Sequence, residues 1–280
     1  MSVMTLAPKL SAHGAAIPAI GFGTSGMGDV RAEHIATALK AGYRHIDTAR
    51  KYGTEHVVGE GMRASGVPRR DIFLCTKVSH ENLHASDFAR SVEESLKALR
   101  VDYVDLLLVH WPEKNTPLAE TMSALAKAKR DGLARHLGVA NFNIAMVDEA
   151  IRLCPEPLVT LQAECHPYLD QSKVIEACRQ RGLVLTAYCP LARGRLAGDP
   201  VLAEIAHRTG KTFAQVALRW LMQQKIIAAI PRSSNAKRIA ENLDVFDFEL
   251  SDDDMRRIGA LKRPDGRIAN PIGRAPVWDA

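Results

Sequence analysis

No stretch of this chain is apolar for the roughly 18–20 consecutive residues that a membrane-crossing helix requires, so no membrane partner is expected. The opening residues, MSVMTLAPKLSAHG, lack a basic segment followed by a long apolar one, the combination that directs export. Both absences read as a soluble, cytoplasmic protein. The five cysteines (Cys75, Cys154, Cys165, Cys178 and Cys189) are odd in number and form no C-x-x-C pair. That argues against a disulfide framework and for reduced, mostly buried thiols. Glu164, Cys165 and His166 stand close together, but no second ligand cluster answers them, so no metal site is expected. Basic residues outnumber acidic ones, 37 to 32, for a formal net charge of +5. They are scattered among acids, without a basic run interleaved with aromatics, which argues against a nucleic-acid partner. A basic surface of this kind suits an anionic substrate or cofactor.

What is present is ordinary for a globular protein with a proper core: 280 residues, 46% hydrophobic and 25% charged. Length alone allows one large α/β domain or two small ones. Short β-rich runs lie at Ile20–Gly23, Tyr43–Asp47, Ile72–Lys77, Val104–His110, His136–Ala140, Leu158–Gln162, Leu183–Tyr188 and Ile226–Ile230. Several are continuous apolar runs, as in Asp105-Leu-Leu-Leu-Val109, the pattern of strands buried on both faces. Amphipathic stretches of helical spacing lie between them. One places Phe88, Val92, Leu96 and Leu99 on a single face, with Ser86 as its expected N-cap. Another carries Phe213, Val216, Trp220 and Leu221 after a Thr212-x-x-Gln215 capping box. Gly42 and Gly132 suit left-handed helix ends.

Eight strand–helix alternations without a linker predict an α/β fold, a single (β/α)8 TIM barrel domain over residues 1–280. Leu6–Leu10 and Ala16–Pro18, flanking His13-Gly14, predict a β-hairpin cap over residues 1–18 that plugs the N-terminal mouth. Residues 262–280, with Pro264, Gly266, Pro271, Gly273, Pro276 and Trp278, predict an irregular tail that either covers the substrate mouth or runs along the surface. The competing architecture is a doubly wound open sheet, for which Gly21-Phe22-Gly23-Thr24-Ser25-Gly26 is a superficial G-x-G-x-x-G match.

In a β/α barrel the active site lies at the C-terminal ends of the strands. Reading the polar residue at each exit gives Asp47 after the second strand, Lys77 ending the third and His110 ending the fourth, with Tyr52 five residues beyond Asp47. A phenol titrates near 10 and is a poor acid at neutral pH, whereas a neighbouring ammonium favours the phenolate. A carboxylate holds that ammonium in place, and a histidine donates a hydrogen bond to a carbonyl oxygen as it gains charge. Together these groups suit protonation of an oxygen while hydride arrives at carbon. Singly, Asp47 and Lys77 read equally as a structural ion pair, and His110 as a satisfied core histidine. Farther along, Arg232, Ser233 and Arg238 gather two guanidinium groups and a hydroxyl near a helix start, a set that suits a phosphate or forms a solvated face.

The segments Gly42-Tyr-Arg-His-Ile-Asp47-Thr-Ala49 with Tyr52-Gly53, Val104-Asp-Leu-Leu-Leu-Val-His110-Trp-Pro112, Gly138-Val-Ala-Asn-Phe142 and Ile230-Pro-Arg-Ser-Ser-Asn235 together resemble the aldo-keto reductase superfamily. The resemblance runs from the hairpin to Asp247-Phe-Glu-Leu250 and is strongest toward bacterial 2,5-diketo-D-gluconate reductase-type members. It implies NADPH-dependent reduction of a small-molecule carbonyl substrate, with Tyr52 as general acid, tuned by Lys77 and Asp47, and His110 orienting the carbonyl; nothing in the sequence demands more than a monomer. It also implies a cofactor site for NADP(H). Asn141 and Gln162 hold the carboxamide and Tyr188 stacks on the ring. Gly23, Thr24 and Asp47 lie beside them, and the pyrophosphate runs along Pro190-Leu191-Ala-Arg-Gly-Arg-Leu196. Arg232, Ser233, Arg238, Glu241 and Asn242 surround the adenosine 2′-phosphate. Ser25 and Trp111 join Tyr52 and His110 in the substrate pocket. Three departures stand out: Ala140 replaces the family's serine, Arg232 its lysine, and Ser25 an aromatic, which opens or polarises the pocket. Two other functions fit parts of the pattern, a Schiff-base barrel aldolase using Lys77 and a non-catalytic dinucleotide-sensing subunit.

Overall fold

A computed structural model describes residues 7–26 and 30–279; residues 1–6 of the expected hairpin cap and Ala280 of the tail lie outside them. Strands β1 (Lys9–Ala12) and β2 (Ala15–Pro18) pair antiparallel around His13-Gly14. The chain then alternates: β3 (Phe22–Gly23), α1 (Ala32–Ala41), β4 (His45–Asp47), α2 (Glu55–Ser65), β5 (Phe73–Val78), α3 (Ala85–Leu99), β6 (Val104–Val109) and α4 (Leu118–Arg130). It continues with β7 (Ala134–Ala140), α5 (Ile144–Leu153), β8 (Leu158–Glu164), α6 (Ser172–Gln180), β9 (Val184–Tyr188), α7 (Pro200–Thr209), α8 (Phe213–Met222), β10 (Ile227–Ala229), α9 (Ala236–Leu243) and α10 (Asp252–Gly259).

Strands β3 to β10 pair parallel in sequence order. A parallel bridge between Ile20 and Ala229 joins the two edges, with Gly21 N–H donating to the Ala229 carbonyl at 2.8 Å and Gly23 N–H to that of Pro231 at 3.0 Å. The sheet therefore closes as the (β/α)8 barrel, and the open-sheet alternative falls. A Cβ on Gly23 would sit 2.7 Å from the Ile230 carbonyl oxygen. The glycine is thus required by the closing seam, which accounts for it without a dinucleotide turn.

Side chains alternate across the barrel wall, as the two-residue period of a strand demands. Leu106 and Leu108 pack inside with Cys75, Ala140, Val159, Val184 and Ala228, whereas Leu107 and Val109 face the helices. The hairpin's Ala12, Ala15 and Ile17 belong to the same interior cluster, so it stoppers the barrel as expected. The strands start or stop within a few residues of the expected bounds; β3 is the shortest, keeping only Phe22–Gly23 of the run from Ile20.

One expected cap is corrected. Helix α3 begins at Ala85 with His84 at its N-cap, and Ser86 lies inside the first turn. The helix end is served from outside, since the Ala85 N–H donates to the Glu120 carboxylate of α4 at 2.8 Å. The Thr212–Gln215 capping box of α8 is present in both directions. Gly42 ends α1 in the left-handed conformation, and Gly132 adopts it just beyond α4.

Helices α2 and α3 approach so closely that a Cβ on Gly59 would be driven into the Leu99 carbonyl oxygen. Alanine gains about 1 kcal/mol of helix propensity over glycine. Overpacking costs about 1–3 kcal/mol and here meets backbone, which yields least. Gly59→Ala should therefore lower the melting temperature by several degrees, at roughly 2–4 °C per kcal/mol; a scanning-calorimetry midpoint at or above wild type would contradict this packing.

Candidate active site

The inward parity that buries Cys75, Leu106 and Leu108 carries upward to the strand exits, where it delivers polar groups instead. Lys77 shares Cys75's face of β5, Asp47 ends β4, and His110 follows β6. Lys77 is 0% exposed and donates to Asp47 Oδ1 at 2.6 Å, to the Thr48 carbonyl at 2.8 Å and to Tyr52 Oη at 3.5 Å. Gln162 Nε2 donates to the other carboxylate oxygen of Asp47 at 2.8 Å. Thr24 supports the same corner: its N–H and its hydroxyl both donate to the Asp47 carbonyl at 3.0 Å. Tyr52 arrives on a single 3-10 turn, Arg50–Tyr52, closed by a left-handed Gly53. Its ring meets the His110 imidazole edge-on at 5.4 Å. Phenol, ammonium, carboxylate and imidazole therefore share one place, as expected.

The electrostatics refine that expectation. Burial pushes the Lys77 ammonium down, but Asp47 outweighs it and holds the group charged, above its ordinary range. Burial pushes the Tyr52 phenol up, and Lys77, with a hydrogen bond to Ser25, only partly offsets the rise. The phenol is thus held protonated, because burial and the negative Asp47 outweigh the Lys77 ammonium. Burial, then Lys77 and Arg274, hold His110 well below the usual histidine range, so it is a neutral donor.

Beside this cluster, Tyr188 at the end of β9 donates to Asn141 Oδ1 at 2.7 Å, and Asn141 Nδ2 donates to the His110 carbonyl at 2.9 Å. Asn141 holds φ +63°, and the loop after β9 holds Cys189 at +48°, Ala192 at +48° and Arg193 at +52°. Left-handed non-glycine residues cost about 1–3 kcal/mol each and gather at functional sites. Leu191 lies half-buried within that loop. Arg238 lies exposed at the start of α9, whose cap is Asn235, with Arg232 and Ser233 half-buried just before it. Asn242 is buried, and Glu241 reaches back to Lys237 at 3.7 Å.

The sequence pattern missed the clasp that holds the tail. Glu164, fully buried at the end of β8, accepts the N–H groups of Ile268 and Ala269 at 2.7 Å each and pairs with His166 Nε2 at 2.9 Å. Burial would raise its carboxyl, but those bonds outweigh it and keep the group below the usual range. The tail then crosses to α5: Asn143 donates to the Val277 carbonyl and the Ile144 N–H to Asp279. Trp278 meets Trp111 edge-on at 6.1 Å. Of the two courses open to the tail, it takes the one over the barrel mouth. The signal was the isolated carboxylate at a strand exit; its partners are backbone groups about a hundred residues away, which no side-chain pattern reveals.

Comparison with known proteins agrees with this geometry. The family model described as the aldo/keto reductase family matches residues 19–263. The chain belongs to that family. A methylglyoxal reductase, DkgB of Escherichia coli O157:H7, is 41% identical over 94% of this chain and 100% of its own length. A glyoxal reductase of Bacillus subtilis (strain 168) is 38% identical over 92% and 94%. A crystal structure named for a 2,5-diketo-D-gluconic acid reductase B superposes with TM-score 0.95 at 47% identity over 99% of each chain. The aldo-keto reductase of Bombyx mori, solved in complex with NADP, superposes at 0.88 with 31% identity over 96% of each. The aldo/keto reductase barrel described here contains no helix among its described residues long and apolar enough to cross a membrane.

Two charge-assisted hydrogen bonds hold the tail of this aldo/keto reductase, each worth about 1.5–3 kcal/mol. Glu164→Gln should free that segment and speed trypsin cleavage at Arg267 and Arg274 by about tenfold or more; unchanged cleavage kinetics would show that the clasp does not hold the tail.

Proposed function

We propose that this aldo/keto reductase reduces aldehyde or ketone carbonyls to alcohols with NADPH, using Tyr52 as the general acid. The observation that carries the reading is the contact of a fully buried, Asp47-paired Lys77 with the Tyr52 hydroxyl, across from a neutral His110. When bound, the reduced nicotinamide supplies a hydride to the carbonyl carbon. The chain's own residues handle the oxygen. Tyr52 gives it a proton, Lys77 stabilises the phenolate that remains, and Asp47 keeps Lys77 charged. His110 donates a hydrogen bond to the oxygen as charge develops.

The residues present fit that cofactor. Gln162 has committed its amide N–H to Asp47, which leaves its carbonyl oxygen to accept from a carboxamide, and Asn141 retains a second amide proton to donate. Tyr188 is held in one orientation by its bond to Asn141, as a stacking partner should be. The loop after β9, with Cys189, Ala192 and Arg193 at positive φ, lies where the pyrophosphate is expected to run. Arg232, Ser233 and Arg238 at the start of α9 suit a 2′-phosphate, which favours NADP(H) over NAD(H). Ala140 provides no hydroxyl, so the carboxamide rests on Asn141 and Gln162. Ser25 and Trp111 flank Tyr52 and His110 as substrate-facing residues. The barrel, its hairpin and its tail act as one domain, a reading supported by their shared packing. An aldolase-type Schiff base at Lys77 is disfavoured, since Asp47 keeps that amine protonated and non-nucleophilic.

Tyr52→Phe should lower kcat for methylglyoxal by about 10²–10⁴-fold while NADPH still binds, as read by fluorescence quenching. Wild-type kcat should fall on the alkaline side as the phenol ionises. An unimpaired variant would refute the acid assignment, and tight NADPH binding without turnover of any aldehyde by wild type would mark a sensing subunit instead. Replacing Arg232 and Arg238 together by alanine should weaken NADPH by about tenfold or more and NADH far less; equal losses would refute the 2′-phosphate site.

A further inference from the structure

The 3-10 turn that carries Tyr52 is a single turn, so its placement depends on what its flanking side chains grip. Two of its three residues reach for acids. Lys51 pairs with Glu81 at 2.6 Å, but both groups are about half exposed, and such pairs contribute little. Arg50 turns to two carboxylates: Glu94 of α3, at the surface, and Glu55, the first residue of α2, at 3.7 Å.

Glu55 is a buried acid that the proton transfer itself does not use; it is only 3% exposed. Its Oε1 accepts the Thr76 hydroxyl at 2.6 Å. Thr76 precedes Lys77 on β5. Side chains alternate, so Lys77 points into the barrel and Thr76 out toward the helices, which places Glu55 directly behind the strand that bears the lysine. Its other oxygen, Oε2, is also buried and faces the Arg50 guanidinium. Burial raises the carboxyl, while Thr76, Ser95, Arg50 and Lys77 all act to keep it ionised. A carboxylate this far from water needs partners on both sides. Here one side belongs to the strand of Lys77 and the other to the turn of Tyr52.

The distances show what such a tie controls. Lys77 Nζ reaches Asp47 Oδ1 at 2.6 Å and the Thr48 carbonyl at 2.8 Å, but Tyr52 Oη at 3.5 Å. That last contact stands at the outer limit of hydrogen bonding, so a small slide of the turn would part phenol from ammonium. The Thr48 and Thr54 hydroxyls, 3.3 Å apart, tie the two ends of the loop to one another. Glu55 ties its far end to β5.

We propose that Glu55 is a positioning residue for the general acid: through Arg50 on one side and Thr76 on the other, it holds the Tyr52 turn at the distance from Lys77 that proton transfer requires. This rests on the reductase reading and deepens it with a residue that acts from outside the barrel wall, through Tyr52.

The test follows methylglyoxal reduction by NADPH across pH for Glu55→Gln, Arg50→Met, their double variant and Glu94→Gln. Glu55→Gln keeps an acceptor for Thr76 and the size of the side chain but loses the charge that holds Arg50. It should lower kcat about tenfold, with KM and NADPH affinity near wild type. Arg50→Met, at a half-exposed position where folding is not at stake, should act alike and carries the test if Glu55→Gln fails to fold. The double variant should be no worse than either single one, because each breaks the same link. Glu94→Gln leaves that link intact and should keep kcat near wild type. As the phenol drifts from Lys77 it loses the ammonium that favours its ionisation, while Asp47 still opposes it. The alkaline fall of kcat should therefore move to higher pH in Glu55→Gln and Arg50→Met. Unchanged kcat, an unmoved alkaline limb, effects that add in full, or a Glu94→Gln variant as impaired as Arg50→Met would each overturn the assignment while wild-type turnover upheld the reductase. A wild type that reduces no aldehyde would sink both readings together.

Discussion

A lysine ammonium buried to zero exposure in the upper barrel dictates how the surrounding residues are arranged. An isolated charge in such a place is strongly unfavourable, so it needs a counter-charge and acceptors for its protons. Asp47 supplies the charge, the Thr48 carbonyl a second acceptor and the Tyr52 hydroxyl the third direction. Asp47 in turn is tied by Gln162 through its side chain and by Thr24 through its carbonyl. Removing one member of a buried pair leaves the other uncompensated, at about 3–5 kcal/mol. The geometry of the candidate site and its local stability are thus the same set of contacts.

The barrel positions this cluster by simple periodicity. Alternate residues of a strand face inward, apolar in the lower layers and polar at the exits, so Asp47, Lys77, His110 and Tyr188 converge, and a register shift between β7 and β8 at Val159 brings Gln162 to the same face. The hairpin seals the lower end with Ala12, Ala15 and Ile17. The upper end is roofed by a tail whose described residues form no helix or strand beyond α10, so it must borrow its order from elsewhere. Glu164 provides that order by satisfying two of its backbone N–H groups, which keeps an irregular segment at a defined height above Trp111.

Legibility in the chain followed the range of each interaction. The eight strands were readable because the two-residue period and the apolar runs are local, and the closing bridge at Ile20 and Ala229 merely confirmed their count. The expected cap at Ser86 failed because the α3 terminus is served by Glu120, a residue 35 positions away from the amide it caps. Lys77 does favour the Tyr52 phenolate as expected, but burial raises the phenol by more, and burial is not a property of neighbours in sequence.

By itself, then, the amino-acid sequence determined the fold class and the four side chains that meet at the barrel mouth, since strand periodicity and the order of polar residues at strand exits are properties of neighbours along the chain. The depth of the ionic pair, the protonation balance of Tyr52 and His110, and the clasp that sets the tail over the mouth were decided only by the tertiary structure. Desolvation and long-range hydrogen bonds depend on what surrounds a group in space, and that is settled when the barrel closes.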